Sequence, residues 1–227
     1  MMRRNRLLAA LLSALAFSPA ASGMDMSVGG LNVRLPVTSL QQVRFATTAR
    51  QQYDFSCGSA ALATLLSHHY NYPINEKTIF EQMFRTGNQP LIRKQGFSML
   101  DMKRFLAVRG FKADGFEQPL EKLAEAGLPA IVLISEKGYN HFVVVKGMAD
   151  GRILLGDPSS GTRAIALSRF KEMWQNKLLF VIHDYKGAAA FNATSDWRAS
   201  PTARLAEGIS RSGLEAVTLL KHGTGEF

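Results

Sequence analysis

The apolar pattern of the sequence changes near Pro129, and this change restricts the folds that the chain can adopt. Before it, apolar residues recur at helical spacing and predict four helices, at 57–70, 76–84, 98–110 and 119–126. After it, short alternating or continuous apolar runs predict five strands, at 129–135, 141–147, 152–156, 162–167 and 178–183. Two further short strands are expected at 42–46 and 111–116. Helices followed by hairpin-linked strands indicate an α+β fold, in which a helical half packs against an antiparallel sheet.

Both ends of the chain differ from this central part. Three arginines precede an apolar run over 7–17 and small residues over 18–23, which is the pattern of a Sec-type signal peptide. The sequence therefore predicts export, with an uncleaved signal anchor as the alternative. From 186 onward the composition shifts to Ala, Ser, Thr and Gly, which is typical of a weakly helical or disordered tail. The expected organisation is a signal peptide, an extended lead-in, one domain and a tail, at 1–23, 24–44, 45–185 and 186–227.

The formal net charge of +9 does not indicate a nucleic-acid partner. Part of this charge belongs to the signal segment, and the basic residues of the remaining chain are interspersed with acidic ones. A nucleic-acid site is usually indicated by a long block of basic residues, and the sequence has no such block. We interpret the charge as a source of solubility and of weak attraction to acidic partners or membrane surfaces.

The single cysteine of the sequence, Cys57, is the first candidate for chemistry. Exported proteins usually pair their cysteines, so an unpaired one suggests a reactive thiol. Cys57 stands where an Ala-rich predicted helix begins, and Gly58 leaves the approach to its sulfur open. A helix N-terminus favours the thiolate, which is the nucleophilic form of cysteine. The alternative is an inert buried cysteine, since free cysteine is among the most buried residue types.

Among the five histidines, His141 is the candidate base. His68 and His69 lie at the far end of the predicted Cys57 helix, about 17 Å away. His141 opens a predicted strand after a tight loop, where the edge of a sheet can present a side chain to a cleft. Asp157 ends the next strand of the same hairpin, so antiparallel pairing brings it beside His141. Asp157 could hold the imidazole tautomer, although a strand-opening histidine and an Asp-Pro turn also have purely structural interpretations.

Two glutamines upstream of the cysteine, Gln51 and Gln52, are candidates for an oxyanion hole. Attack on an amide builds negative charge on the carbonyl oxygen, which needs hydrogen-bond donors aimed at it. The backbone N–H of Cys57 is one donor, and the side-chain amide of Gln51 or Gln52 can be the other. No metal or other cofactor is expected, since Cys57, His68 and His69 fall on one predicted helix without ligand spacing.

Together these residues resemble those of the C39 cysteine peptidases, papain-like enzymes best known as the leader-cleaving domains of bacteriocin exporters. The resemblance covers residues 45–185 and rests on four segments, QQYDFSCGSAALATLL, GFSMLDMKRFLAVRGFKADGF, LPAIVLISEKGYNHFVVVKG and GDPSSGT. It implies a papain-like fold in which Cys57 is the nucleophile and His141 the general base and acid. It also implies that Asp157 orients His141 and that Gln51 is the oxyanion glutamine.

A signal peptide in place of a fused transporter makes the chain similar to the periplasmic C39-type proteins that are encoded with functional-amyloid secretion systems. The resemblance implies a periplasmic cysteine endopeptidase that cleaves a co-secreted fibril subunit or an export component. Cleavage after small residues such as Gly-Gly, and peripheral association with an outer-membrane secretion machinery, are further expectations. Two alternatives stay open: a peptidase-like module that binds secretion substrates without cleaving them, and a thiol acyl transfer such as transpeptidation. The Gly29-Gly30 pair of the chain itself is a candidate site of self-cleavage.

Overall fold

The structure, a computed structural model, describes residues 23–28, 31–36 and 38–201. The predicted signal peptide except for its last residue, Gly23, the Gly29-Gly30 pair and the tail beyond 201 lie outside this range. The chain divides into two units after Ser39. The first unit holds two antiparallel strands, β1 (Gly23–Val28) and β2 (Leu31–Pro36), within the segment predicted as an extended lead-in.

The second unit combines a helical half with an antiparallel sheet, which confirms the predicted α+β fold. Its helices are α1 (Leu40–Phe45), α2 (Cys57–Thr64), α3 (Glu76–Thr86), α4 (Gln89–Gln95), α5 (Met99–Ala107), α6 (Glu121–Ala126), α7 (Leu167–Met173) and α8 (Thr194–Trp197). Its strands are β3 (Ala113–Glu117), β4 (Ala130–Glu136), β5 (Tyr139–Ala149), β6 (Arg152–Asp157), β7 (Gly161–Ala166) and β8 (Leu178–Ile182). They form one sheet in the order β3-β8-β4-β5-β6-β7. Within the described ranges, no helix is both long and apolar enough to cross a membrane.

Each face of this sheet covers its own hydrophobic core. On one face, Phe142 and Val144 of β5 pack with buried residues of α2, α3 and α5. On the other face, Val143 and Val145 pack with buried residues of α6 and α7. Successive residues of β5 therefore point into different cores, as the two-residue period of a strand requires.

Helix α2 is buried along its whole length, which explains its unusual composition. All of its residues, from Cys57 to Thr64, are buried, and most are small. Small side chains let a helix lie close to a sheet, so the helix can be covered on every side. A π-helical turn over Leu65–His69 continues α2, and together the two confirm the helix predicted at 57–70.

The structure differs from the sequence prediction at three helices. The strand predicted at 42–46 is wrong, because Leu40–Phe45 forms helix α1, where leucine, glutamine and arginine are good helix formers. Helix α4 was not predicted, although its start carries an Asn88 cap and a proline in the first turn. Helix α7 was not predicted either, although Phe170 and Met173 are spaced for one buried helical face.

The described part of the predicted tail, 186–201, packs against the domain. Ala190 donates its backbone N–H to the carbonyl of His69 at 2.9 Å, and Asn192 donates to the carbonyl of Lys146 at 2.9 Å. Asp196, in the short helix α8, is buried. The prediction of a weakly helical or disordered tail is therefore corrected for these residues, because backbone pairing and a buried carboxylate fix them.

Candidate active site

Cys57 is the first residue of α2, as predicted, and its thiol lies beside the start of β5. Its sulfur accepts the backbone N–H of Phe142 and that of Gly58, which are interactions that favour a thiolate. Burial nevertheless has the larger effect and raises the pKa of the Cys57 thiol above its ordinary value, and the charge of Asp157 raises it further. The backbone N–H groups at the start of the helix therefore do not offset the effect of burial on the thiol. A thiolate at Cys57 needs a cationic partner.

The start of α2 is held by a buried polar cluster behind the thiol. The Ser59 hydroxyl donates to Oε1 of Glu76 at 2.7 Å and lies 2.8 Å from the carbonyl of Ser56, the residue that precedes Cys57. Burial raises the pKa of the Glu76 carboxyl, against hydrogen bonds that lower it. These contacts fix the backbone on which the thiol stands.

His141 lies in β5 opposite Ile134 of β4 and is buried. Its Nε2 is 3.3 Å from Oδ2 of Asp157, whereas its buried Nδ1 has no hydrogen-bond partner in the described part of the chain. The ring of Tyr139 stacks on the imidazole, with 5.8 Å between ring centroids. Nδ1 is therefore the ring nitrogen that Asp157 does not engage, and the next residue of the strand, Phe142, donates its backbone N–H to the Cys57 sulfur.

A β-bulge at Lys146 places Asp157 on the same side of the sheet as His141. Val145 pairs with Leu155, but the next pair is Gly147 with Leu154, so Lys146 is the extra residue. Val144 pairs with Gly156, and continuing this register by one pair sets Asp157 opposite Val143, which shares its face of β5 with His141. Without the bulge, Asp157 would stand opposite a residue that points to the other core, since a one-residue slip reverses every side chain. The predicted proximity of His141 and Asp157 is confirmed.

The carboxylate of Asp157 is fully engaged. Oδ1 accepts the backbone N–H and the hydroxyl of Ser159, at 2.9 and 2.7 Å, and the N–H of Ser160 at 3.3 Å. Oδ2 faces His141 and also accepts Nη2 of Arg163 at 3.0 Å. Burial alone would raise the pKa of Asp157, but the hydrogen bonds from His141 and Ser159 outweigh it and hold the pKa well below its ordinary value. Asp157 is therefore a stable carboxylate next to the imidazole.

Of the two candidate oxyanion glutamines, Gln51 lies against the turn that follows Asp157. Its backbone N–H donates to the carbonyl of Pro158 at 3.1 Å, and the residue is half-buried, whereas Gln52 is exposed. The chain segment just before Cys57 is thereby tied to the strand end that carries Asp157. This position favours Gln51 over Gln52 as a donor near the thiol.

An open cleft of about 470 Å³ gives access to Cys57. Its walls are formed by the segment before α2, by the start of β5 and by the C-terminal end of α4, through Asp54, Phe55, Arg93, Lys94, Gln95, Gly96, Tyr139 and Asn140. The Tyr139 hydroxyl donates to the carbonyl of Asp54 at 2.6 Å and joins two of these walls. The α4 wall was missed by sequence reasoning, and the Asn-Gln-Pro helix start was the signal that could have revealed it.

No histidine of the described chain, His141 included, lines this cleft, although His141 directly follows Asn140 of its wall. His69 is buried at the end of the α2 extension, where Nδ1 lies 2.6 Å from the carbonyl of Ala190. His183 lies 2.9 Å from a carboxylate oxygen of Asp114 at the sheet surface. A search of the described residues finds no group of three or more His, Cys, Asp or Glu side chains that could hold a metal ion.

Comparison with known proteins points to one family. The model of the peptidase C39 family matches residues 46–186. The probable functional amyloid protease FapD of Pseudomonas aeruginosa is 38% identical over 172 residues, 76% of this chain and 76% of that protein. The protein of the same name from Pseudomonas fluorescens is 37% identical over 154 residues, 68% of each chain. The peptidase domain of Streptococcus ComA, described as a bi-functional ABC transporter involved in quorum sensing, has a similar fold, with a TM-score of 0.50 and 22% identity, covering 60% of this chain and 97% of that domain.

Proposed function

Because the chain belongs to the peptidase C39 family, we propose that it is an exported cysteine endopeptidase with Cys57, His141 and Asp157 as its catalytic triad. One observation carries the proposal. His141 directs Nε2 to a buried carboxylate and keeps a buried, unpartnered Nδ1 on the strand whose next N–H touches the Cys57 sulfur. A ring with one fixed nitrogen and one unused nitrogen beside a thiol is suited to carry a proton to and from the sulfur.

The raised pKa of the Cys57 thiol determines how the first step works. A buried thiolate forms when its proton moves to His141, because the imidazolium then neutralises the sulfur and Asp157 stabilises the imidazolium. The thiolate attacks the peptide carbonyl carbon, and the carbon–sulfur bond forms as the carbonyl π electrons move to oxygen. The backbone N–H of Cys57 and the side-chain amide of Gln51 stabilise this oxyanion.

The imidazolium then acts as the acid. His141 protonates the leaving amine, the carbon–nitrogen bond breaks, and an acyl-enzyme remains on Cys57. The neutral imidazole next removes a proton from water, and the resulting hydroxide attacks the thioester carbonyl carbon. The carbon–sulfur bond then breaks, the acid product leaves, and the Cys57 thiolate remains beside the imidazolium, from which it can recover its proton. Asp157 remains a carboxylate throughout and holds the ring orientation by accepting Nε2–H.

The proposed substrate is a protein of a functional-amyloid secretion system, either a co-secreted fibril subunit or an export component, and the proposed location is the periplasm. The similarity to two Pseudomonas proteins named as probable functional amyloid proteases supports the amyloid context, and the N-terminal signal pattern supports export. Small residues at the cleaved bond suit a thiol that is largely buried at the base of its cleft. Gly-Gly is the preferred test sequence for this reason.

A binding module without peptidase activity is the second candidate function. It is favoured by the net effect of burial on Cys57, since a thiol with a raised pKa is unreactive unless His141 becomes its cation. Such a module would use the same cleft to hold a substrate segment without a covalent step.

Alkylation of the single thiol separates the two candidates. The rate of iodoacetamide modification is measured from pH 5 to 9 on the full exported protein and on His141→Ala. A peptidase gives a rate plateau well below the ordinary cysteine pKa of about 8.5, and His141→Ala removes that plateau. Wild type is also incubated with a fluorogenic peptide containing Gly-Gly and with the co-secreted fibril subunit, with Cys57→Ala as the control. Thiol reactivity that rises only near pH 8.5 or above, together with no cleavage, would support the binding module.

A further inference from the structure

The carboxylate of Asp157 contacts a fixed cation in addition to the imidazole. Arg163 of β7 places Nη2 3.0 Å from Oδ2, the same oxygen that faces Nε2 of His141. A guanidinium stays charged throughout the working pH range, whereas the imidazole gains and loses a proton in each turnover. The two partners of Oδ2 therefore differ in whether their charge is permanent.

We infer that Arg163 is a positioning residue of the peptidase, which compensates the charge of Asp157 whenever His141 is neutral. The inference rests on the proposed function, because only a catalytic His141 passes repeatedly through its neutral form. It adds a residue to the machinery that the sequence pattern did not indicate.

The need for this cation follows from burial. Asp157 is only 1% exposed, and burial by itself raises its pKa. The hydrogen bond and charge of His141 are among the influences that lower the pKa, and the charge disappears when the imidazole loses its proton. Without Arg163, Asp157 would be a buried carboxylate with no cation beside it whenever His141 is neutral. The His141–Asp157 pair would then bind the proton of the imidazolium more tightly. A more tightly held proton is transferred less readily to the leaving amine.

Arg163 is itself balanced by a chain of alternating charges. Its Nη2 also donates to Oε2 of Glu136 at 2.7 Å, and Oε1 of Glu136 accepts Nη2 of Arg169 at 3.3 Å. The hydrogen bond from Arg163 lowers the pKa of Glu136, so this carboxyl is ionised as well. Glu136 prevents Arg163 from acting as an uncompensated cation that would repel the imidazolium.

The remaining charged groups around Asp157 lie on other elements. Cys57 faces it from α2, as the effect of Asp157 on the thiol pKa indicates. Lys146 of β5 lies next to the neighbouring residue Gly156, but its charge is shared with Asp196 at 2.8 Å. Arg163 is thus the permanent cation in direct contact with the Asp157 carboxylate among the described residues.

Titration of the His141 ring tests the inference without a substrate. Nitrogen-15 histidine NMR is recorded against pH on the full protein carrying Cys57→Ala, with the His141 signal identified by its loss in His141→Gln. Adding Arg163→Gln is expected to raise the titration midpoint by about one pH unit, and Arg163→Lys is expected to restore it, because the removed cation opposes protonation of the pair. Glu136→Gln should shift the midpoint in the opposite direction. Arg85→Gln, which removes an exposed arginine on α3, is the matched control and should leave it unchanged.

Cleavage of the Gly-Gly peptide supplies the kinetic readout in the protein with an intact thiol. Arg163→Gln is expected to lower kcat about tenfold with little change in KM and to move the alkaline limb of the pH profile upward. Arg163→Lys is expected to recover most of the loss. A folded Arg163→Gln protein with an unmoved His141 midpoint would overturn the inference while leaving the proposed function intact. If Arg163→Gln does not fold, an unchanged or raised midpoint in Glu136→Gln overturns it instead. Absence of cleavage by the wild type would count against the proposed function itself.

Discussion

Strand β5 carries two buried acid–base pairs, and they differ in how completely their hydrogen bonds are satisfied. Lys146 and Asp196 are joined at 2.8 Å, and Lys146 Nζ also donates to the carbonyl and the hydroxyl of Thr47 at 2.9 and 2.7 Å. His141 and Asp157 lie farther apart, at 3.3 Å, and the second ring nitrogen of His141 has no partner among the described residues. Both pairs are almost completely buried, so exposure does not distinguish them.

Under the proposed mechanism, the Lys146 pair has a structural role and the His141 pair takes part in the reaction. Burial lowers the pKa of Lys146, against the charge of Asp196, so the lysine is retained as a cation only because its partners surround it. A buried nitrogen without a partner, as in His141, costs stability and persists where a substrate or reacting group completes it. Lys146 is also the bulge residue at the register shift that sets Asp157 on the side of His141, so the two pairs are connected through one irregularity of β5.

The largest expected effect is on catalysis, from a change in the His141 pair. Asp157→Asn removes the charge that stabilises the imidazolium and is expected to lower kcat by about 10³- to 10⁴-fold. The protein should remain folded, as judged by circular dichroism, because the amide can keep several of the hydrogen bonds to Oδ1. Asp150→Asn makes the same chemical change in the exposed β5–β6 turn and is the control. A loss of less than tenfold in Asp157→Asn would remove Asp157 from the triad.

The second effect is on folding, from the corresponding change in the Lys146 pair. Asp196→Ala leaves a buried ammonium without its carboxylate and is expected to lower the free energy of unfolding by about 3–5 kcal/mol, measured in urea. Alkylation kinetics of the fraction that stays folded should keep the wild-type pH dependence. Asp114→Ala removes a carboxylate of an exposed ion pair and should leave the urea midpoint nearly unchanged.

A double substitution distinguishes a lost charge from lost packing. Lys146→Met with Asp196→Leu removes both charges and keeps apolar bulk, so it should recover much of the stability that Asp196→Ala loses. Activity is the sharper measurement here. If the bulge requires the ammonium, the double variant will be stable but will have a lower kcat, whereas unchanged kcat would mean that backbone pairing alone sets the register.

The third effect is a pH dependence of the free energy of unfolding, which comes from His69 near the Lys146 pair. Burial lowers the pKa of His69 from its ordinary value to about 4, and the charge of Lys146 contributes in the same direction, against Asp196. The unfolded chain therefore binds a proton that the folded chain excludes between about pH 6.5 and 4. The associated stability is complete above pH 6.5 and declines by about 3 kcal/mol as the pH falls through this window. His69→Gln should reduce the slope of unfolding free energy against pH, whereas His183→Gln, at the sheet surface, should not. Equal slopes in wild type and His69→Gln would disprove the assignment.

The comparison also explains how far the sequence could predict the structure. The hairpin and its turn placed Asp157 near His141 correctly, because strand periodicity and an Asp-Gly turn are local signals. The bulge could not be predicted from the sequence, because a lysine within an apolar strand does not indicate that it will be the extra residue. Its partner Asp196 lies in a segment that looked like a tail, and pairing between positions that distant in sequence leaves no local pattern. Arg163 was missed although it lies only six residues after Asp157, because a basic residue in a predicted strand does not show which carboxylate it faces.

The smallest expected effect is at the open side of the His141 pair. Tyr139 stacks on His141, is about half exposed, and donates its hydroxyl to the carbonyl of Asp54 at 2.6 Å across the cleft. Tyr139→Phe keeps the stacked ring and loses this one hydrogen bond, so the free energy of unfolding should fall by about 1 kcal/mol or less. Because the bond joins two walls of the cleft and touches no reacting atom, KM should rise by about twofold while kcat stays within about twofold of wild type. Tyr139→Ala, which also removes the ring over His141, is the matched comparison and should lower kcat further. A large kcat loss in Tyr139→Phe would show that the hydroxyl, rather than the ring, serves the imidazole.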